Sequence, residues 1–509
     1  MRRRLAGNVI WNWSGMVATM LTGFVVAPYL LHHLNTAVYG IWILIASMSG
    51  YFGLLDLGVR GSVGRYIAYY RARNEQHQIN ATLSTAITIL SGVALLTLLA
   101  TWVVLAVFFH LFEVPPEYVA TTRLAIIIMG VNLAITFPVS VFDGVLWGYE
   151  RFDLINIIDI PTAIARMVLT FWLVKGPQDI LLLAWITLGY TVANELVKML
   201  LCFRLDRQLR VNVKLFDRKQ AQQLYGYGLW QFLLQISRQI GGQVGPLIVG
   251  GVIGVATVTP FAFASRLIAY ASQFMVAATG VLTPLATVLH AQADGEGERR
   301  LFMEGGKWCT AFATYITLGM LLLGGPLLHL WVRDPTVASE AAAILMVVTL
   351  GEMLAMSQWL TYSIILGKAR HRALALASLV EGIIAVAGGA LAASRWGVMG
   401  VAVVFAAAAF ACRGVFQVVY SCGVVQVGVL RYVMQAVLWP MAVGMIPGAI
   451  LAGMIWWHMP QRWSELAGYG VGFSLLFWGS TLWLLGAAKY LPARTAERRN
   501  DAVMEKIHG

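Results

Sequence analysis

The sequence has 509 residues, of which 59% are hydrophobic and only 12% are charged. An ordinary soluble domain carries roughly 25% charged residues, so the composition excludes a soluble globular protein. The formal net charge of +12 comes from basic residues at the ends of apolar segments, and this placement argues against nucleic acid as a partner. The four cysteines show neither zinc-binding nor disulfide spacing, so we expect no metal site.

Apolar runs of ~20 residues, long enough to cross a bilayer, follow one another along the chain. Hydropathy predicts about fourteen membrane-spanning helices, at 8–31, 37–59, 82–110, 120–147, 153–174, 180–203, 226–250, 257–289, 308–331, 337–366, 372–393, 397–420, 431–455 and 465–488. The predicted fold class is an all-α polytopic membrane protein. The sequence lacks a P-loop, a zinc-binding helix and a nucleophile elbow, so we expect no catalytic residues and no cofactor.

The basic residues are distributed unequally between the two sets of loops. With a cytoplasmic N-terminus, the cytoplasmic segments contain Arg2, Arg3, Arg4, Arg65, Arg71, Arg73, Arg204, Arg207, Arg210, Lys214, Arg218, Lys219, Arg299, Arg300, Lys368, Arg370, Arg372, Arg494, Arg498 and Arg499. The opposite segments contain only Arg123, Lys175, Arg333, Arg395 and Arg462. The positive-inside rule therefore predicts that both termini lie in the cytoplasm.

The longest cytoplasmic segment, 204–225, follows the sixth helix, where a boundary between two repeats is expected. A shift of 219 residues (230 minus 11) superposes Trp11 on Trp230, Gly23 on Gly242, Pro116 on Pro335, Gly148 on Gly367 and Arg151 on Arg370. We therefore predict a six-helix bundle at 1–203, a basic linker at 204–225, a pseudo-symmetric six-helix bundle at 226–420, and helices 13 and 14 with a basic tail at 421–509. Parallel repeats of this kind place substrate in a central cavity between the halves; a duplicated scaffold without transport is the alternative.

Two repeat-related helices carry polar stripes. The stripe of the first helix includes Asn12, and that of the seventh contains Gln231, Gln235, Arg238 and Gln239. At 3.6 residues per turn the members of each stripe share one face, which predicts a hydrophilic cavity. Amide hydrogen bonds that only join helices are the alternative, but they do not account for an arginine near mid-membrane.

Ionisable residues also interrupt the second and eighth helices. Arg266 and Tyr270 share a face of the eighth helix. Asp56 stands one turn before Arg60, so the two are expected to pair, and ion coupling is a second possible role for the aspartate.

The remaining intramembrane ions divide into close pairs and isolated carboxylates. The close pairs are predicted to be structural, and they are Asp159 with Arg166 and Glu195 with Lys198. Glu352 and Glu381 have no basic neighbour in sequence. Each is therefore a candidate proton or sodium site, with a protonated carboxyl bonded to a neighbouring helix as the alternative.

The stretch YFGLLDLGVRGSVGRYIAYYRARNE at 51–75 resembles the polysaccharide transporters of the multidrug/oligosaccharidyl-lipid/polysaccharide exporter superfamily. Its most specific part is Leu-Asp-Leu-Gly at 55–58, followed by a basic and aromatic exit from the membrane. The resemblance implies a flippase in the bacterial cytoplasmic (inner) membrane. Its substrate would be an undecaprenyl-diphosphate-linked oligosaccharide, moved from the inner to the outer leaflet by alternating access. Polysaccharide polymerases and glycosyltransferases are candidate partners.

A lipid-linked diphosphate is an anion whose sugar head cannot cross hydrocarbon. Arg238 and Arg266 are expected to neutralise it, because guanidinium offers planar, bidentate donors. The amide and aromatic groups expected to bind the sugar are Gln231, Gln235, Gln239, Asn12, Tyr51 and Tyr270. Arg60 and Arg65 are expected to attract the head group at the cytoplasmic entrance.

Three other functions compete with this hypothesis. Drug/cation antiporters of the superfamily present carboxylates in the cavity, and some use an acid in helix 1, which this helix 1 lacks. Lipid II flippases share the helix count but typically carry an arginine in helix 1, where Thr19 stands opposite Arg238 in the repeat. A membrane glycosyltransferase or polymerase would need a carboxylate base and large outer loops, and the outer loops here are short.

Overall fold

The computed structural model describes residues 2–56, 58–280, 282–368, 370 and 372–487, with their side chains except those of 2–10, 12, 227–243, 284 and 485–487. Within these ranges the chain is built of helices and contains no strand. The predicted all-α fold class is confirmed.

The helices follow the predicted spans in chain order. Those before the linker are α1 (Arg2–Phe52), α2 (Val59–Ala72), α3 (Gln76–Leu111), α4 (Val119–Val139), α5 (Val141–Gly148), α6 (Phe152–Leu173) and α7 (Ile180–Leu205). Those after it are α8 (Arg218–Val252), α9 (Val258–Gly280), α10 (Thr283–Ala291), α11 (Gly295–Val332), α12 (Pro335–Ser357), α13 (Trp359–Gly367), α14 (Arg372–Ile383), α15 (Gly389–Ala409) and α16 (Gln417–Val425). The last are α17 (Val429–Tyr432), α18 (Trp439–Trp457) and α19 (Trp463–Ala487). The π-helical turns that join neighbouring helices lie at Ile384–Gly388, Phe410–Phe416 and Val433–Leu438.

Two long helices contain a break that separates two predicted spans. In α1 the break is Asn35, with φ 66° and ψ 170°, a region that is otherwise almost confined to glycine. The Asn35 Oδ1 accepts a hydrogen bond from the Val38 N–H (3.0 Å) and so caps the helix that follows. In α15 the break is Gly397, with φ 61°, where glycine has no steric penalty. The chain changes direction at both places without a loop.

Other predicted spans are divided into two helices each. The span at 120–147 is divided at Ser140 into α4 and α5, and the span at 337–366 is divided at Gln358 into α12 and α13. The shift of 219 residues moves position 140 to position 359, next to Gln358. The two divisions therefore occupy equivalent places in the two predicted repeats.

Ten segments of the described chain are long and apolar enough to cross a membrane, and two of them, Trp13–Asp56 and Arg372–Val425, each cover most or all of two predicted spans. The terminal helices have a tryptophan near each end, with Trp439 and Trp457 on α18 and Trp463 and Trp483 on α19, all exposed. Eighteen residue steps of α18 correspond to ~27 Å, close to the ~30 Å hydrocarbon thickness. Exposed tryptophans at this spacing are typical of residues at the two membrane interfaces.

The chain forms two compact units. The first comprises residues up to Ala262 with Ala385–Val401, and the second comprises Phe263–Ile384 with residues from Ala402 onward. The division into repeats at 1–203 and 226–420 concerns the sequence pattern and stays a prediction.

The core of the first unit joins α2 to α3, α5 and α7. Helices α2 and α5 approach so closely that a Cβ at Gly148 would lie 2.8 Å from Ile67 Cγ2, so glycine is required there. In the second unit, the repeat-related Gly367 of α13 packs on α10, where a Cβ would lie 3.1 Å from Thr287 Oγ1. The same helix pair thus packs through glycine in each unit.

The core of the second unit extends from α11 to the terminal helices. Leu318 of α11 packs with Leu451 of α18 and with Phe473 and Phe477 of α19. Helices 13 and 14 of the prediction are therefore bound to the second unit through α11.

Candidate functional site

The first unit contains an ion cluster within its membrane-spanning helices. The Lys198 Nζ of α7 lies 2.8 Å from Asp143 Oδ1 of α5 and 2.9 Å from Asp159 Oδ1 of α6, and the Lys198 side chain is 6% exposed. One turn earlier, Asn194 Nδ2 donates to Asp159 Oδ1 and to Thr162 Oγ1, both at 2.9 Å. A single face of α7 thus holds both neighbouring helices by polar contacts.

This cluster differs from the pairs expected from sequence. Lys198 contacts the two aspartates of other helices, and Arg166 donates to Thr187 (3.3 Å) and lies 5.4 Å from the Tyr190 ring centroid. The predicted pair of Asp159 with Arg166 is therefore wrong. Glu195 is buried on the same helix as Lys198, and its Oε2 has no hydrogen-bond partner among the described residues. Lys198, Asp143, Asp159 and Glu195 together have a formal charge of −2 when all are ionised, and the positive charge of Arg60 also acts on Glu195.

The second unit contains an ion cluster centred on Arg413. Its Nε lies 2.9 Å from Glu381 Oε1 of α14, and its Nη1 donates to Glu352 Oε2 of α12 at 3.0 Å. Both glutamates are buried. The two carboxylates that lack a basic neighbour in sequence therefore share one guanidinium, with a formal charge of −1 when all are ionised.

The two clusters occupy equivalent positions of the repeat. The shift of 219 residues superposes Asn194 on Arg413 and Thr162 on Glu381. Each pair is in contact at 2.9 Å, as a neutral hydrogen bond in the first unit and as an ion pair in the second. The same helix–helix contact has therefore been kept with different chemistry in the two halves.

The predicted diphosphate and sugar residues fall in two groups. The side chains of Gln231, Gln235, Arg238, Gln239 and Asn12 lie outside the described residues; the first four positions belong to α8 and the last to α1. Arg266 and Tyr270 stand one turn apart on α9, and both are half-buried. The binding role of these residues and the central cavity stay predictions.

The residues predicted for the cytoplasmic entrance lie where α1 passes into α2. Arg60 Nε is 3.8 Å from Asp56 Oδ2, which confirms the expected pair. Asp56 Oδ1 also accepts a hydrogen bond from the Gly58 N–H (2.8 Å), so this carboxylate fixes the start of α2. The Tyr51 hydroxyl is buried and has no hydrogen-bond partner among the described residues, while Arg65 is exposed beside the Tyr66 ring.

Comparison with known proteins gives the family. The sequence profile of the family described as polysaccharide biosynthesis protein matches residues 5–290, more than half of the chain. The chain belongs to the polysaccharide biosynthesis protein family. This confirms the resemblance that the stretch at 51–75 carries. A curated relative, the uncharacterized membrane protein EpsK of Bacillus subtilis (strain 168), is 21% identical over 337 residues, which are 64% of this chain and 64% of EpsK.

Solved structures share the fold of this family member. The lipid II flippase MurJ, in an inward closed conformation, has a TM-score of 0.72 at 12% identity. The superposition covers 94% of this chain and 99% of the MurJ chain. An inward-facing multidrug resistance MATE family transporter of the MOP superfamily has a TM-score of 0.68 at 14% identity, over 82% of this chain and 94% of its own. At such identities the likeness establishes the fold alone, which is that of a multi-pass membrane protein. These two neighbours are a lipid II flippase and a multidrug transporter.

Proposed function

We propose that this protein is a flippase that moves an undecaprenyl-diphosphate-linked oligosaccharide from the inner to the outer leaflet of the bacterial cytoplasmic membrane. The observation that carries the proposal is the family match over residues 5–290, on a fold shared with a lipid flippase over 94% of the chain. A substrate that joins a saccharide to a lipid accounts for both the polysaccharide family and the flippase fold.

The charges of the chain fit such a substrate. A diphosphate needs cations inside the membrane, and Arg238 on α8 and Arg266 on α9 are proposed to bind it in a bidentate manner. An unpaired arginine that faced lipid at mid-membrane would cost roughly 2.5–3.5 kcal/mol on insertion scales, so an aqueous or anionic surrounding is favoured. Arg60 and Arg65 are proposed to attract the head group before entry.

Transport by alternating access requires rigid bundles, and the ion clusters support that requirement. Lys198 joins three helices of the first unit, and Arg413 joins three of the second. Each cluster carries an excess of negative formal charge inside the membrane, where an uncompensated charge is costly. We propose that protons or sodium ions supply the missing positive charge and couple their movement to the transport cycle.

A lipid II flippase is the second candidate, favoured by the extent of the likeness to MurJ. Purified protein reconstituted into liposomes would be given an undecaprenyl-diphosphate oligosaccharide or lipid II, and outer-leaflet exposure would be measured with a membrane-impermeant sugar-oxidising or sugar-binding reagent. We expect translocation of the oligosaccharide, and loss of it in abundant Arg238→Ala, Arg266→Ala protein. Translocation of lipid II alone would replace the first candidate by the second. Sugar transfer by the purified protein would instead support an enzyme.

A further inference from the structure

The linker after α7 lies along α3, with a turn at 207–208 and a 3-10 turn at Val213–Leu215, and we call residues 206–217 the strap. Polar side chains on one face of α3 bind the backbone of the strap at regular intervals. These bonds are Asn80 Nδ2 to Gln208 O (3.0 Å), Arg210 N to Asn80 Oδ1 (3.0 Å), Asn212 N to Ser84 Oγ (3.1 Å) and Asp217 N to Thr85 Oγ1 (3.0 Å). The strap is therefore a fixed part of the first unit.

Side-chain hydrogen bonds also fix the start of the strap. Asp206 Oδ2 accepts from Tyr149 Oη (2.6 Å) and from Gln76 Nε2 (2.9 Å). Burial raises the pKa of the Asp206 carboxyl, but the bonds from Tyr149, Gln208 N–H and Gln76 outweigh it and hold the pKa below its usual value of 3.8. The Asp206 carboxylate thus accepts hydrogen bonds from several donors at the start of the strap.

A cavity of about 980 Å³ lies between the strap, α3 and the end of α7, a volume in the range of ligand sites. Its lining includes the cationic and amide groups Arg207, Arg210 and Asn80 and the apolar groups Phe203 and Leu215, and it contains no carboxylate. Both arginines are exposed, and neither forms an ion pair with any residue that the structure describes. The cavity is therefore lined by two guanidinium groups without an ion pair in the described part of the chain, those of Arg207 and Arg210, beside the apolar side chains of Phe203 and Leu215.

The cavity lies at the depth of phospholipid head groups. Asn80 precedes the predicted span 82–110 by two residues, and Arg207 follows the predicted span 180–203 by four. At ~1.5 Å per residue these offsets are ~3–6 Å, which is within the interfacial layer that borders the hydrocarbon.

The strap exposes apolar residues beside a basic one, and one of the apolar residues, Val211, also lines the cavity. Val211, Val213 and Phe216 are exposed, and Lys214 between them is exposed as well. A soluble anion would use the arginines but would leave these apolar side chains in water. A lipid of the surrounding bilayer would cover both kinds of surface.

We propose that this cavity binds the head group of an anionic phospholipid, with its phosphate on Arg207 and Arg210 and its acyl chains along the apolar side of the strap. Basic pockets at the membrane interface are suited to anionic lipid head groups. The proposal does not depend on which substrate the protein transports.

The test is a titration of the purified full-length protein with phosphatidylglycerol or phosphatidylcholine, followed by native mass spectrometry. A basic residue at a membrane surface contributes roughly fivefold to the binding of an anionic lipid, so the Arg207→Gln, Arg210→Gln variant should bind phosphatidylglycerol roughly 30-fold more weakly. Binding of phosphatidylcholine should not change. The matched control is Arg299→Gln, Arg300→Gln, which removes the same charge from the start of α11 and should bind phosphatidylglycerol as the wild type does.

A second variant tests the position of the strap at the cavity rather than the charge of the cavity. Asn80→Ala removes two bonds to the strap and no charge, so it should also weaken phosphatidylglycerol binding, while its melting temperature reports whether it is folded. Equal losses in both arginine variants would reduce the effect to general charge and overturn the site. Unchanged binding in the Arg207→Gln, Arg210→Gln variant, or full binding by folded Asn80→Ala, would overturn it as well.

Discussion

Replacement of Arg413 by asparagine is the sharpest test of the second-unit cluster. It leaves Glu352 and Glu381, which are 7% and 9% exposed, without the guanidinium that both of them contact. Removal of one partner from a buried ion pair costs roughly 3–5 kcal/mol. Because Arg413 serves two carboxylates, we expect a loss near the upper value, about 5 kcal/mol.

The first half of the chain shows which residues can replace the cluster. Positions 413, 381 and 352, each minus 219, correspond to Asn194, Thr162 and Leu133. The triple variant Arg413→Asn, Glu381→Thr, Glu352→Leu should therefore recover most of the stability that Arg413→Asn loses, because no charge is left buried. Glu352→Gln alone should cost less than about 1 kcal/mol, since a neutral one-to-one pair remains.

Thermal unfolding of the purified variants, followed by tryptophan fluorescence, would measure these differences. The expected order of melting temperature is wild type close to Glu352→Gln, then the triple variant, then Arg413→Asn. An Arg413→Asn protein as stable as the wild type would refute the assignment of Arg413 as the structural counter-ion. A triple variant no better than Arg413→Asn would refute the equivalence of the two halves at this contact.

Four further outcomes are expected. Lys198→Met leaves the buried Glu195 and the half-buried Asp143 and Asp159 without their ammonium and should lower stability by roughly 3 kcal/mol, the lower value for a buried pair, which melting temperature and membrane abundance would reveal; wild-type values would contradict the cluster. If the second cluster couples ions, inserted Glu352→Gln should transport without the pH or sodium dependence of the wild type, and an unchanged dependence would leave the glutamate a structural role. The pKa of Asp206 is lower in the folded protein than in the unfolded chain, so this carboxylate stabilises the strap at higher pH and loses that effect as the pH drops past about 4. Protection of the strap from hydrogen exchange should therefore decrease in that acidic range, and Asp206→Asn should remove this pH response. Reporter fusions after Arg218 and after Arg333 should report opposite sides of the membrane, and equal signals would reject the predicted topology.

Hydropathy was sufficient to predict the spans because each must present about 20 apolar residues to lipid. It also predicted two spans on either side of Asn35, although one residue takes the place of the loop. The division of single spans at Ser140 and Gln358 was not predicted. Both halves of each divided span are apolar, so the composition carries no signal at the division.

The sequence was sufficient to predict which charged residues lie inside the membrane spans, but not which of them contact each other. Charged residues inside spans were identified, but spacing along the chain can pair only residues about one turn apart, as it did for Asp56 and Arg60. The partners of Arg413 are 32 and 61 residues away, so their contact depends on how helices pack. The sequence contains a weak signal for the attachment of the strap, since Asn80, Ser84 and Thr85 form a polar face at the start of an apolar helix.

The distance along the chain between Glu352 and Arg413 has a consequence for biosynthesis. The ribosome completes Glu352 before it has made the 61 residues that lead to its counter-ion, a delay of roughly 3–12 s at 5–20 residues per second. During that time α12 and α14 bring carboxyl groups to the translocon with no arginine to receive them, and an ionised acid at a helix centre resists insertion. These helices should therefore enter the bilayer with protonated carboxyls, or wait beside the translocon until the helix with Arg413 arrives.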